Sequence, residues 1–426
     1  MPLSDNLEGS AAVAVVVDGY SAGNFYPGAF AALGAEVLHV QSTAELMPTL
    51  SAPKLSEYVE NVVSADGDLE ALVRRLKPYH PVCVVAGQDG AVTLADQLGE
   101  ALGVPSNGTL LSPARRDKYE MIEALRRAGV RCADQFKSED PQAIVDWAMA
   151  RGTYPVVVKP LSSAASDGVS ICKDSEEVSR AAQAVLATPD IFGRRNREIL
   201  VQSYLAGTEY IVDTVSCDGQ RYTCGVWQYE KSLLPNGKNI YDRDILLDGH
   251  DSLVTDLTAY IDEVLAALDV RWGPAHAEVI VTPDGPTLVE IGTRLSGHID
   301  SGFHDRCLGH DQAGLTALAY LRPDVFKEQY GRKAYTRLQP AAVYEAPTTA
   351  TGTVSAVDER TVASIRSLGS VHHVTVKLKP GDRIVPTDSL LTSILRVHMT
   401  APDERQLTAD YERVRTLKDS VYRVAE

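Results

Sequence analysis

Three valine-rich runs separated by helical text constrain the fold of this chain more than any other feature. AAVAVVVDG (11–19), EVLHVQ (36–41) and PVCVVAG (81–87) alternate with PGAFAALGA and DLEALVRRLK. Short β-branched runs of this kind, closed by glycine and interleaved with amphipathic helices, predict a parallel α/β layer. Small molecules bind such sheets outside the carboxyl ends of the strands. Asp18, Gly19 and Tyr20, and likewise Gln88, Asp89 and Gly90, are therefore candidates for a substrate crevice, although each is also readable as an ordinary strand-end turn.

After this layer, Ser112 and Pro113 read as an N-cap and a first helical position, and Met121, Ile122, Leu125 and Ala128 form one apolar stripe before Gly129. A domain boundary is expected near residue 112. Tyr154 to Ile171 reads as strand, loop, strand, with VVVK running into PLSSAASDG. EILVQSYLAGTEYIVDT reads as two strands joined through Ser203–Leu205. Beyond residue 334 the text turns strand-rich (AAVYEA, TGTVSAV, VHHVTVKL, DRIVP, SILRVHM) and closes with a helix from about Pro402 to Val421, an antiparallel terminal subdomain.

At 426 residues and 44% apolar content the chain can bury several cores, and two to four domains are expected. The net charge of -16 excludes a nucleic-acid surface, which needs clustered Lys and Arg. Six cysteines without a CxxC pair fit reduced core thiols, and the apolar run from Ala11 to Val17 is too short to span a bilayer. A cytoplasmic protein with no membrane partner is the expectation.

Function is read from HAEVIVTPDGPTLVEIGTRLSGH, where two strand-like segments end in Glu278 and Glu290, with Arg294 four residues on. Carboxylates on facing strands, with Cβ atoms roughly 5 Å apart, repel unless a cation joins them, which points to Mg²⁺ carrying a phosphate. They face each other only if the loop around Pro283, Asp284 and Gly285 has an odd number of residues; a two-residue turn sets them on opposite faces. Taken alone, the hairpin is equally compatible with two solvated acids. Lys159 ends a three-valine run ahead of the small-residue loop Ser162–Gly168, whose backbone N–H groups can form an anion nest. Lys118 opens a helix, and Gln202 to Glu209 offers exposed backbone for an adenine edge and an acid for ribose hydroxyls. His298, His304 and His310, six apart, match no periodicity that assembles a metal site.

In this order the pieces resemble the ATP-grasp superfamily, and within it the carboxylate-amine ligases similar to bacterial L-amino acid (dipeptide) ligases. The resemblance implies a fold of mixed α/β and α+β class. Its expected parts are a Rossmann-like domain (1–111), a small lid subdomain (112–204), a large subdomain bearing the metal and catalytic site (205–333) and a strand-rich subdomain (334–426). It implies that Lys118 and Lys159 contact ATP phosphates, that Ser162, Ser163, Ser166 and Gly168 belong to a phosphate flap, and that Gln202, Tyr204 and Leu205 hold adenine. Glu209 would take the ribose, Glu278 and Glu290 the Mg²⁺ (with Mn²⁺ as a substitute), and Arg294 the reacting phosphate, with Arg294 and Lys159 as catalytic groups. Arg243, His276, Gly297 and His298, with Asp300, are the substrate candidates.

Two departures stand out. Gly292 lies where many members carry Asn, and Gln202 where the adenine hinge often opens with Glu. The expected reaction is ATP-dependent amide formation through an acyl phosphate, with a small carboxylic acid and an amine as partners and a homodimer compatible with the reading. A bicarbonate-using ATP-grasp carboxylase and a nucleotide-binding regulatory protein without turnover are the alternatives.

Overall fold

Alternating runs in residues 11–111 become a four-stranded sheet in a computed structural model of the chain, which describes residues 11–47, 50–64, 67–161, 168–189, 195–233, 239–389 and 392–425. Strands β1 (Ala12–Val17), β2 (Ala35–Gln41), β3 (Glu60–Val63) and β4 (Pro81–Ala86) are parallel in the order β3-β2-β1-β4. Central β1 is covered on both faces, which is why it reads as an unbroken apolar run. Val13, Val15 and Val17 pack under the helices Leu69–Leu76 and Val92–Leu102. Ala14 and Val16 pack with Tyr26, Phe30, Leu295, Ile299 and the helix Gln312–Leu321. This second face ties the first layer to the segment that follows Arg294. Where β1 and β4 end, the backbones touch: a Cβ on Gly87 would stand 2.3 Å from the Asp18 carbonyl oxygen, so only glycine fits.

The helix expected from Ser112 begins later. Pro113–Arg115 is a single 3₁₀ turn, and the α-helix runs Lys118–Arg127, capped by Asp117 through the N–H groups of Tyr119 and Glu120. Ser112 does not cap: its backbone is itself helical (φ -55, ψ -40) rather than extended, and its hydroxyl, which donates to Asp96 (2.7 Å), takes no N–H from the turn. Beside it, fully buried Arg115 donates to Asp96 (3.0 Å), to the Leu268 carbonyl (2.9 Å) and to the Asn107 and Gly108 carbonyls. One guanidinium thus joins the first layer, the linker and the end of the helix Ser252–Ala267.

Strands β5 (Gln135–Ser138), β6 (Val156–Pro160), β7 (Ser170–Cys172) and β8 (Ile199–Ser203) form a small antiparallel sheet ordered β5-β8-β6-β7, covered by the helices Pro141–Arg151 and Ser175–Ala187. The remaining strands are β9 (Thr208–Cys217), β10 (Gln220–Leu233), β11 (Asn239–Leu246), β12 (Gly273–Thr282), β13 (Gly285–Gly292), β14 (Ala341–Ala346), β15 (Gly352–Val357), β16 (Val371–Val376), β17 (Arg383–Ile384), β18 (Leu395–Thr400) and β19 (Tyr422–Ala425). Eight of them make one antiparallel sheet, β13-β12-β9-β10-β11-β14-β18-β16. The strand-rich end of the chain therefore continues the large sheet through the β11–β14 pairing, and only β17-β15-β19 stand apart in a three-stranded sheet. The terminal helix spans Glu404–Leu417. Among the described residues no helix is long and apolar enough to cross a membrane.

Glu345 on β14 is the most tightly held acid of this extension. It is 2% exposed and accepts from Lys377 (2.7 Å), Ser393 (2.7 Å) and Arg396. Burial opposes its ionisation, but Arg396 and Lys377 outweigh it and lower its pKa from 4.5 to about 2. A carboxylate so shifted stabilises the fold fully above pH 4.5 and loses that effect as pH falls through about 2. Urea unfolding of wild type and Glu345→Gln should show a stability gap at pH 7 that narrows by on the order of 2 kcal/mol at pH 3. An equal gap at both values would show that the Glu345 charge adds nothing.

Candidate active site

The hairpin that carries the acidic pair turns through two residues, Pro283 and Asp284, with Thr282 opposite Gly285. On the parity expected from sequence this turn would part Glu278 and Glu290, and the requirement for an odd loop proves wrong. The ladder shifts by one residue between Val279, which faces Leu288, and Glu278, which faces Glu290. Val289 is the extra residue of a β-bulge, and the bulge brings both carboxylates to one face. That face runs on across β9, where His276 faces Asp213, Glu278 faces Ile211 and Ile280 faces Glu209. On β10 the Tyr229 hydroxyl donates to Glu278 (3.4 Å).

Cations converge on the pair from other parts of the fold. Lys118, first residue of its helix, donates to Glu290. Lys159, 6% exposed at the end of β6, lies within the electrostatic reach of Glu290, Glu278 and Glu209. The resulting charges are poised rather than settled. Burial, then Glu290 and Glu209, push Glu278 up to about 8. Glu290 stays below its ordinary value because Lys118 and Lys159 outweigh its burial. Burial and neighbouring Lys118 bring Lys159 down to about 8. The shifts of Glu278 and Lys159 disfavour isolated charge in a shielded site, and a ligand carrying both metal and phosphate would relieve both.

Arg294 is aimed by a residue that the sequence marked only as a strand-end candidate. Its Nε donates to Asp89 (3.2 Å), just beyond the end of β4. Burial opposes ionisation of Asp89, but Arg294 and Arg116 outweigh it and hold the carboxyl below the usual range. This contact accounts for Gly292. A Cβ there would stand 2.6 Å from Asp89 Oδ1 and 3.4 Å from Arg294 Cζ, so the space of the absent Asn is filled by the Asp89–Arg294 pair.

The other expected residues divide. Gln202, buried at the end of β8, donates from Nε2 to Gln135 (3.0 Å), and Tyr204 and Leu205 lie on the open connection to β9. Glu209 is bound by Lys231 (2.6 Å) and Tyr241 (3.2 Å). Gly168 has φ +68 and ends the loop ahead of β7, whereas Ser162, Ser163 and Ser166 lie outside the described residues. His276 is spent on Asp213 (2.7 Å). Gly297 is exposed, and His298 Nδ1 lies 2.7 Å from Asp244 Oδ2.

Arg243 is not brought to this face. It pairs with Glu230 (2.5 Å) on the opposite side of β11 and stacks on Tyr411 (4.1 Å). A bulge at Asp242 defeats parity counting there, and Asp244, one residue on, faces the site together with Tyr241. Tyr229, Asp244 and Arg116 went unread, and only the alternation in VWQYEKS could have flagged Tyr229. Asp18 and Tyr20 serve the fold, Asp18 accepting from Ser42 and Tyr20 from the Met47 N–H.

Among the described residues no three or more His, Cys, Asp and Glu side chains form a metal cage. Two carboxylates on one strand pair are nonetheless a donor set that fits Mg²⁺, which commonly takes one or two protein carboxylates and completes its shell with phosphate and water.

The ATP-grasp domain family matches residues 152–301. Dapdiamide A synthase of Enterobacter agglomerans is 36% identical over 385 residues, covering 89% of this chain and 90% of that protein. A D-alanine–D-alanine ligase of Bacillus velezensis is 26% identical over 275 residues, 57% of this chain and 75% of that one. The crystal structure of an L-amino acid ligase from Bacillus licheniformis shares the fold, with a TM-score of 0.74 at 18% identity over 98% of this chain and 99% of that one. With an ATP-grasp core whose acids, lysines and arginine meet on one sheet face, and a relative matched over nearly its full length, the chain belongs to the ATP-dependent carboxylate-amine ligases of the ATP-grasp superfamily.

Proposed function

We propose that this ligase joins a small carboxylic acid, an amino acid by preference, to the amine of an amino acid. The observation that carries the reading is the single face on which Glu278, Glu290, Lys118, Lys159, Arg294 and Asp89 meet. The substrate carboxylate attacks the γ-phosphate, the bond to the β-phosphate oxygen breaks, and ADP leaves an acyl phosphate. The amine then adds to the acyl carbon, and phosphate departs as the amide forms.

The protein positions groups and offsets charge. Glu278 and Glu290 would hold Mg²⁺, which would neutralise phosphate charge when bound. Lys118 and Lys159 offer their charges to the phosphates. Arg294 meets the transferring group and then the oxyanion of the tetrahedral intermediate. Glu209 exchanges Lys231 and Tyr241 for ribose hydroxyls, while Gln202, Tyr204 and Leu205 border the adenine. Asp89, at the crevice end of the parallel sheet, keeps Arg294 aimed and offers a carboxylate to a substrate ammonium. His298, braced by Asp244, stands on the same side as a substrate contact.

Phosphate release from MgATP with the twenty L-amino acids, singly and in pairs, tests the function. The expected result is release that depends on a pair, with a product mass equal to the sum less water; no release with any pair would overturn it. Glu290→Gln should lower that turnover on the order of 10³-fold. Its unfolding free energy should stay within about 1 kcal/mol of wild type, because no core volume is lost. Asp89→Asn should cost roughly 10–100-fold in kcat/KM for the amino acids and leave the KM for ATP within about two-fold, as expected for one charge-assisted hydrogen bond. Equal changes for ATP and amino acids would place Asp89 outside substrate recognition.

A further inference from the structure

The five residues after Leu295 are held almost entirely from outside the ATP-grasp match, which ends at residue 301. The Gly297 carbonyl accepts from Arg396 Nη1 (3.2 Å), and the His298 carbonyl is 3.2 Å from His398 Nε2. Asp300 Oδ1 lies 3.4 Å from His372 Nε2, and His298 itself lies against Asp244. Arg396 and His398 alternate along β18 and so share a face, and His372 comes from neighbouring β16. Arg396 is itself fixed, since its Nε donates to Glu345, directly opposite on β14. His398 is 4% exposed, and its burial beside Arg396 keeps the ring neutral, with an N–H to donate. The inner side of the loop is fastened by the Ser296 N–H on Gln312 (2.7 Å), by Ile299, buried in the core beneath β1, and by Asp300, which accepts from the Phe303 N–H (2.8 Å).

We propose that Arg396 and His398 are positioning residues that fix the Gly297–Asp300 loop relative to Arg294, so that the C-terminal extension of the large sheet sets which amino acid the site accepts. Backbone carbonyls gripped from a buried ion cluster leave the loop little freedom, and the position of His298 follows from them. The bonds run to main-chain atoms, so they act on loop geometry whatever substrate side chain is present. The selectivity part of this inference rests on the ligase reading above; the loop-holding part does not.

The test uses the full-length chain with Arg396→Met and with the pair His398→Leu and His398→Gln, the last of which retains an N–H donor. Hydrogen exchange needs no substrate. In R396M and H398L the amides of 296–300 should exchange at least ten-fold faster while those of 273–292 keep their protection, and H398Q should stay near wild type. In steady-state assays on the amino-acid pair that wild type joins, R396M and H398L should raise the KM of one amino acid at least ten-fold, with the KM for ATP within two-fold and H398Q again near wild type.

Unchanged loop exchange in both R396M and H398L would overturn the proposal. So would a faster loop with no change in amino-acid KM, or a parallel shift of the ATP and amino-acid KM values. If R396M does not fold, the two His398 variants decide alone. If wild type joins no pair, the ligase reading fails separately, and the exchange data still decide whether Arg396 and His398 hold the loop.

Discussion

One extra residue, Val289, is the constraint on which the site depends. A regular ladder from the Pro283–Asp284 turn would direct Glu290 away from Glu278, and the cations would have no common anion to gather around. The bulge restores the register at the open end of the hairpin only. Between the turn and the shift, Leu288 and Val279 stay directly opposite and buried in the main core, so the hairpin keeps its packing while its far end is turned to chemistry. A bulge leaves one backbone position out of the ladder, a local cost that the packed core around Leu288 and Ile291 offsets.

Arg115 has the corresponding part in the scaffold. A buried guanidinium is costly unless its donors are met, and here Asp96, Leu268, Asn107 and Gly108 meet them from three segments of the chain. The consequence reaches the site. Lys118 begins its helix three residues beyond Arg115, and Asp89 lies at the head of the helix that carries Asp96. Fixing Arg115 therefore fixes the two elements that bring Lys118 to Glu290 and Asp89 to Arg294.

Much of this was legible in the text of the chain, and the failures have physical causes. β1 and β4 announce themselves because strands buried on both faces are almost wholly apolar, and β2 shows through its Val37, Leu38 and Val40 despite buried His39 and Gln41. Glu290, Lys118, Lys159 and Arg294 could be named because they lie at or just beyond the ends of strongly patterned elements, and Glu278 because it interrupts the apolar text of β12. Parity is another matter. Bulges at Val289 and Asp242 leave no mark in composition, so the hairpin seemed to need an odd loop, and Arg243 was named while Asp244 went unread. Ser112 looked like a cap, but its backbone is drawn into helical geometry while its hydroxyl reaches Asp96, distant in sequence. Glu345, Arg396 and His398 gave no signal, because their meaning arises only when β14 and β18 pair and extend the large sheet.

The charges of the site explain why its parts come from separate elements. Glu278 and Glu290 are held side by side on one hairpin, and the raised Glu278 and lowered Lys159 record how unfavourable the crowding of like charges already is, which a cluster built wholly on one element would worsen. The groups are divided among the large sheet, the linker helix, strand β6 and the end of the parallel sheet, with Lys118 paired to Glu290 and Arg294 aimed by Asp89. A ligand bearing both signs of charge can take over the Lys118–Glu290 pairing while Asp89 keeps Arg294 in place. The energy of binding is then realised where the pieces meet, so that a ligand carrying both signs of charge is held from several elements at once.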